Sequence, residues 1–163
     1  MKKNVMKHTL VSLLFILGIC NISAQELSLR GVGGRLSLVD VEGPIGATVG
    51  FGGHADLGEL FQNVRLYPNV EFWSRSGASH FTINGDVRYY FPRRGKLEFF
   101  AGGGLVAVFI NKNSYDSDLG LNFLGGVDFP VSDNLVGTVK IKILASDNTV
   151  YKITGGITYL LNQ

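Results

Sequence analysis

Between residues 27 and 161 the sequence alternates apolar and polar residues in eight stretches, and nearly all its charges fall in one alternation class. The last stretch is the cleanest, with Tyr151, Ile153, Gly155, Ile157 and Tyr159 interleaved with Lys152, Thr154, Gly156 and Thr158. Successive side chains of a strand point to opposite faces, so a period of two specifies one apolar and one polar face. None of the stretches carries a helical period, and the chain reads as all-β.

The spacing predicts strands over 27–39, 45–57, 64–74, 80–91, 96–110, 118–129, 134–145 and 149–161. Between them lie Glu42-Gly43-Pro44, Gly58-Glu59, Arg75-Ser76-Gly77, Pro92 to Gly95, Asn111 to Ser117, Ser132-Asp133-Asn134 and Ser146-Asp147-Asn148. These residue types adopt turn dihedrals at low cost. Connections so short join antiparallel neighbours, because parallel strands need long crossovers. An eight-stranded antiparallel up-and-down meander can close into a barrel. No composition shift or linker interrupts residues 25–163, which read as one domain.

Residues 1–24 read as a cleaved signal peptide. Lys2, Lys3 and Lys7 precede the apolar run Leu10 to Cys20, and Ile22-Ser23-Ala24 offers a cleavage point before Gln25. The run is too short to span a bilayer as a helix. Cys20 leaves open a lipoprotein alternative, although Ile19 stands where a lipobox has a small residue. Cleavage removes three lysines and leaves 12 basic against 13 acidic residues, so a basic nucleic-acid surface is not expected. It also removes the one cysteine, and with it any disulfide or thiolate metal site.

The apolar class includes Ala47, Val49, Phe51; Phe81, Ile83, Val87, Tyr89; Phe99, Leu105, Phe109; Leu119, Leu121, Phe123; and Val139, Ile141, Ile143. It carries no charge, and aromatic residues mark its ends, as in Phe81 and Phe91 or Tyr151 and Tyr159. Eight to ten tilted residues match the apolar height of an outer membrane with aromatic girdles at both interfaces. The opposite class holds Arg30, Arg35, His54, Asp56, Arg65, Glu71, Asp86, Arg88, Glu98, Asp128, Lys140, Lys142 and Lys152. A soluble barrel would turn this class to water; a membrane barrel would fill its lumen with it. Strand glycines such as Gly102, Gly103 and Gly104 favour the membrane form, because they permit tight coiling and are poor filling for a soluble core.

Two places depart from the pattern. Pro68 lies inside the third stretch and removes a ladder donor, which predicts a bulge or break. Leu27 and Leu29 are out of phase with Leu36 and Leu38, which predicts an extra residue near Gly31-Val32-Gly33-Gly34.

Leu119 to Pro130 with Ser132-Asp133-Asn134, Val87-Arg88-Tyr89-Tyr90-Phe91-Pro92, Ala101 to Leu105 and Thr154 to Tyr159 together resemble the outer-membrane β-barrel superfamily. The type they resemble is the eight-stranded OmpA-transmembrane and OmpX form, a porin-family outer-membrane barrel domain. The chain departs from the family in ending on Asn162-Gln163 instead of an aromatic or apolar residue. The resemblance implies a transmembrane β-barrel in the outer membrane of a Gram-negative cell, exported by its signal peptide and inserted by the barrel-assembly machinery. It also implies that the N-terminus and the turns at 58–63, 92–95 and 130–133 face the periplasm. Loops 40–44, 75–79, 111–117 and 146–148 would then face outward, and they are too short for large adhesive structures.

Candidate chemistry is sparse. His80 lies near Ser74, Ser76 and Ser79, but nucleophilic catalysis also needs an orienting acid, and serines are common in turns. His54 beside Asp56 reads as a lumen hydrogen-bonding residue, since no second histidine shares its spacing. Asn111 to Asp118 offers oxygen ligands for calcium, yet lacks the Gly and terminal Glu of an EF-hand loop. The glycine clusters at Gly31 to Gly34 and Gly50 to Gly53 precede no helix and cannot cradle a phosphate as a P-loop does. Trp73, Tyr67 and Tyr90 read as lumen or rim packing.

The expectation is therefore a non-enzymatic membrane barrel with a structural or surface-interaction role, without cofactor or metal, contacting outer-membrane lipid as a monomer. Arg65, Glu71, Asp86, Arg88, Glu98, Asp128, Lys140 and Lys142 are its expected polar lumen; Phe51, Phe123, Ile141, Tyr151, Ile157 and Tyr159 are expected to face lipid. The alternative is a soluble periplasmic barrel of lipocalin type, binding a small apolar ligand with its charged face outward.

Overall fold

The computed structural model describes residues 27–41, 46–75, 77–92, 95–111, 115–146 and 149–161. The expected signal segment 1–24, with Cys20, lies outside the described residues. The strands are β1 (Gly31–Val41), β2 (Thr48–Asp56), β3 (Glu59–Phe61), β4 (Val64–Arg75), β5 (Ala78–Tyr90), β6 (Glu98–Asn111), β7 (Tyr115–Ser132), β8 (Leu135–Ala145) and β9 (Val150–Leu160). All pairings are antiparallel in the order β2-β1-β9-β8-β7-β6-β5-β4-β3, and β2 also pairs with β4, which closes the barrel. Eight long strands form the wall, and β3 is a short hairpin arm on β4.

The predicted meander is present, with shifted edges. The strand expected over 118–129 extends to Tyr115 and Ser132, because its ladder with β6 runs on to Tyr115 at one end and its ladder with β8 runs on to Ser132 at the other. The turn expected at 58–63 contains β3, and the chain reverses at Asn63, whose φ is 64°.

Pro68 keeps its place in an unbroken β4–β5 register, opposite Gly85. On its other side the β2 ladder stops at His54 opposite Asn69. Pairing resumes where Leu57 N–H donates to the Leu66 carbonyl and Leu66 N–H donates to the Gly58 carbonyl. Two residues there oppose one, the arrangement of a bulge, and Gly58 accommodates it with a φ of 80°. The irregularity expected at Gly31 to Gly34 lies upstream instead. Register with β2 and β9 is continuous from Gly31 onward, whereas Ser28 and Arg30 donate to Leu57 and Asp56 with slipped spacing. Leu27 and Leu29 precede the regular strand, so their phase places no demand on it.

Alternation translates directly into two surfaces. Even-numbered Val32, Leu36 and Leu38 of β1 are exposed, while odd-numbered Arg35, Ser37 and Val39 are buried. Among the described residues, 29 large apolar side chains are exposed and only 11 apolar residues are buried, which inverts the usual arrangement of a water-soluble domain.

Candidate functional site

The buried side chains fill the lumen in layers. At the end where β1 meets the 42–45 connection, Val39, Trp73, Val106, Val108, Leu144 and Val150 form an apolar layer. Toward the opposite end, which carries the turns at Asn63, Gly95 and Asp133-Asn134, Tyr67, Tyr90, Phe100 and Leu124 pack together. Charged and amide side chains occupy the space between.

Asp86 of β5 anchors that middle layer. Its carboxylate lies 3.1 Å from Lys142 Nζ and accepts hydrogen bonds from Asn69 Nδ2 and Asn122 Nδ2, each at 2.9 Å. One carboxylate thus gathers donors from β4, β7 and β8. Lys142 and Asn122 also donate to Asn84 Oδ1, at 2.9 and 2.8 Å. Glu71 takes three cations, Lys152 at 2.5 Å, Arg35 at 3.3 Å and Lys142 at 4.0 Å, and Lys152 Nζ lies 3.8 Å from the Trp73 ring centroid. Buried ions are tolerated when such partners replace their water, and costly otherwise.

Nearer the turns, Asp128 accepts from Tyr90 Oη at 2.7 Å and Thr138 Oγ1 at 2.6 Å. The Arg88 guanidinium stacks 3.7 Å from the Tyr67 ring and lies 3.8 Å from Asp128. Tyr67 Oη donates to Asp56 at 2.9 Å, and Asp56 meets the half-buried Arg30 at 3.8 Å.

Of the eight residues expected to fill the lumen, Glu71, Asp86, Arg88, Asp128, Lys140 and Lys142 are all buried inside the barrel. Arg65 and Glu98 line its turn-end mouth, around a cavity of about 170 Å³. Arg65 pairs there with Glu59 at 3.7 Å and covers the Tyr90 ring at 4.3 Å. Lys140 makes no hydrogen bond or ion pair among the described residues. Arg35 and Lys152, which share the polar alternation class, are buried with them, as are Asn69, Asn84 and Asn122, whose lack of charge gives no signal in the sequence.

The second set lies on the outside. Phe51, Phe123, Ile141, Tyr151, Ile157 and Tyr159 project from the outer surface, each more than two-fifths exposed. The lipocalin-type alternative needed Phe51, Phe123, Ile141 and Ile157 inside and the charges outside; the structure has the reverse, because inward parity in β2, β7, β8 and β9 belongs to the polar class. Aromatic pairs lie near both ends of the outer belt, Tyr89–Phe91 edge to face at 5.3 Å and Phe81–Phe109 at 6.2 Å.

The remaining candidates take structural partners. His80 stacks on Trp73 at 5.1 Å, and Ser74 Oγ donates to the Ala78 carbonyl at 3.1 Å. Ser76 lies outside the described residues. His54 Nε2 shares a hydrogen bond with Thr158 Oγ1 at 2.7 Å. In the Asn111 to Asp118 segment, Asp116 and Asp118 each accept from the next backbone N–H, at 2.9 and 2.8 Å, while residues 112–114 lie outside the described residues. No group of three or more metal-ligating side chains occurs among the described residues.

No protein-family profile and no curated protein matches the chain. Solved structures do. The N-terminal β-barrel domain of Pseudomonas aeruginosa OprF is similar at TM-score 0.63 and 14% identity, over 82% of this chain and 98% of that one. Neisserial surface protein A follows at TM-score 0.61 and 15% identity, over 80% and 96%. Ail, the attachment invasion locus protein of Yersinia pestis, has TM-score 0.53 and 15% identity, over 82% and 97%. At such identities the shared property is the fold, that of the eight-stranded outer-membrane β-barrels.

Proposed function

We propose that this chain is a small integral outer-membrane protein whose eight long strands cross the bilayer, with a structural or surface-interaction role and no enzymatic activity. The observation that carries this reading is the inversion of polarity, an uncharged apolar belt around an interior of paired ions. In water that belt would be an aggregation surface; in lipid it is the matched face, and a closed wall pairs its backbone from strand to strand without a free edge. Phe51, Phe123, Ile141 and Ile157 then meet acyl chains, and Tyr151 and Tyr159 lie toward the two interfaces.

The polar network and the two packed layers fill the eight-stranded interior, so the barrel is plugged, without a porin-sized channel. The connections Val41 to Thr48, Arg75 to Ala78, Asn111 to Tyr115 and Ala145 to Val150 face outward and are short, which fits a compact surface protein better than a receptor with long loops. Lipid is the main partner, the barrel-assembly machinery acts during insertion, and the finished protein is a monomer. Cell fractionation tests this. Recovery from detergent-extracted outer membrane with heat-modifiable gel migration supports the reading, and release with the soluble periplasm refutes it.

A further inference from the structure

We propose that the lumen binds one small monovalent inorganic anion of halide size, held by Lys140 Nζ and the free Nη2 of Arg35. The interior carries more buried cations than carboxylates. Arg35, Arg88, Lys140, Lys142 and Lys152 are buried inside the barrel, and the carboxylates facing them are Glu71, Asp86 and Asp128. The fourth buried carboxylate, Asp56, is taken by Arg30 at the mouth. Glu71 is shared by Arg35, Lys152 and, at 4.0 Å, Lys142; Asp86 is taken by Lys142, and Asp128 by Arg88.

Lys140 is left over. The residue is 2% exposed and its ammonium has no hydrogen-bond partner; Arg35, Lys142 and Arg88 lie within its electrostatic reach, against one carboxylate, Glu71, that other cations already share. Arg35 Nη2, on a residue 5% exposed, is unpartnered too. A water molecule would satisfy hydrogen bonds here and leave the charge uncompensated; an anion satisfies both. Lys140 projects inward between Gly126 and Thr154, neither of which offers a charge. Packed layers on both sides and the narrow interior of an eight-stranded barrel favour a small occupant. The site depends on the interior alone, so its failure and the failure of the membrane reading are separable.

The test uses the full barrel refolded in detergent. Crystals grown with sodium bromide should show an anomalous bromide peak in contact with Lys140 Nζ. Urea unfolding, at constant ionic strength made up with sodium gluconate, should show stability rising saturably with bromide. At ten times the dissociation constant the folded-to-unfolded ratio rises about tenfold. The saturable part disappears in Lys140→Met, or in Lys140→Gln if the methionine variant does not refold. A lumen without bromide at Lys140, or wild-type stability with no saturable dependence, overturns the proposal.

Discussion

The Lys142 ammonium lies 3.1 Å from the Asp86 carboxylate, and both side chains are fully buried. The pair ties β8 to β5, strands separated in the wall by β6 and β7, so it acts as a brace across the lumen. Removing one partner leaves the other charged and dry. Asp86→Asn or Lys142→Met should each lower stability by about 3–5 kcal/mol. The double variant Asp86→Leu with Lys142→Met should recover part of that loss, because it leaves neither ion stranded. Urea unfolding in lipid vesicles measures all three.

The outer belt makes a prediction of depth. Ile141 lies opposite Ile153 and Gly125, near mid-height, whereas Tyr159 lies next to the β9 end. Ile141→Arg should lower stability in vesicles by about 2–4 kcal/mol, and Tyr159→Arg by about 0–1 kcal/mol. A barrel living in water would tolerate both substitutions equally.

Outside the lumen, the Phe129 ring lies over Gly137 of the neighbouring strand and shields backbone that has no side chain of its own. Phe129→Ala should cost about 1 kcal/mol by exposing that strip and losing the cross-strand contact. With Phe129 in place, Gly137→Phe should also destabilise, because the two rings would compete for one place. The same vesicle unfolding series reads the difference.

Gly104 faces the lumen, and a Cβ there would enter the space of the Gly85 carbonyl oxygen on β5 and approach Asp86. Backbone cannot yield as a flexible side chain does. Gly104→Val should cost about 1–3 kcal/mol or reduce the folded yield, read as loss of the heat-modifiable band.

A filled lumen should pass little current. Planar bilayers containing the protein should show no sustained porin-sized conductance. Trp73→Ala, which empties the largest buried side chain of the loop-end layer, should lower stability by about 3–5 kcal/mol and raise the frequency of small openings. Steady large conductance in the wild type would refute the plug.

The alternation of residues determined most of the wall. It set the strand count and the two faces, and it assigned Glu71, Asp86 and Lys142 to one class and Phe51, Phe123 and Ile141 to the other. Local chemistry also announced the irregularity at Pro68, since a missing N–H must interrupt a ladder wherever it lies. Period two says nothing of which class points inward, because a sheet can close in either sense; the closed barrel has the polar class inside. Nor does it distinguish Lys140 from Lys142, two lysines of one face in a Lys-Ile-Lys run. Lys142 meets Asp86 only because the curvature of the wall brings β5 opposite β8, and Lys140, one step along the same strand, meets no carboxylate. Side-chain direction is a property of the local backbone and can be read from the chain, whereas partners across a lumen depend on tilt, register and closure, which only the assembled barrel defines.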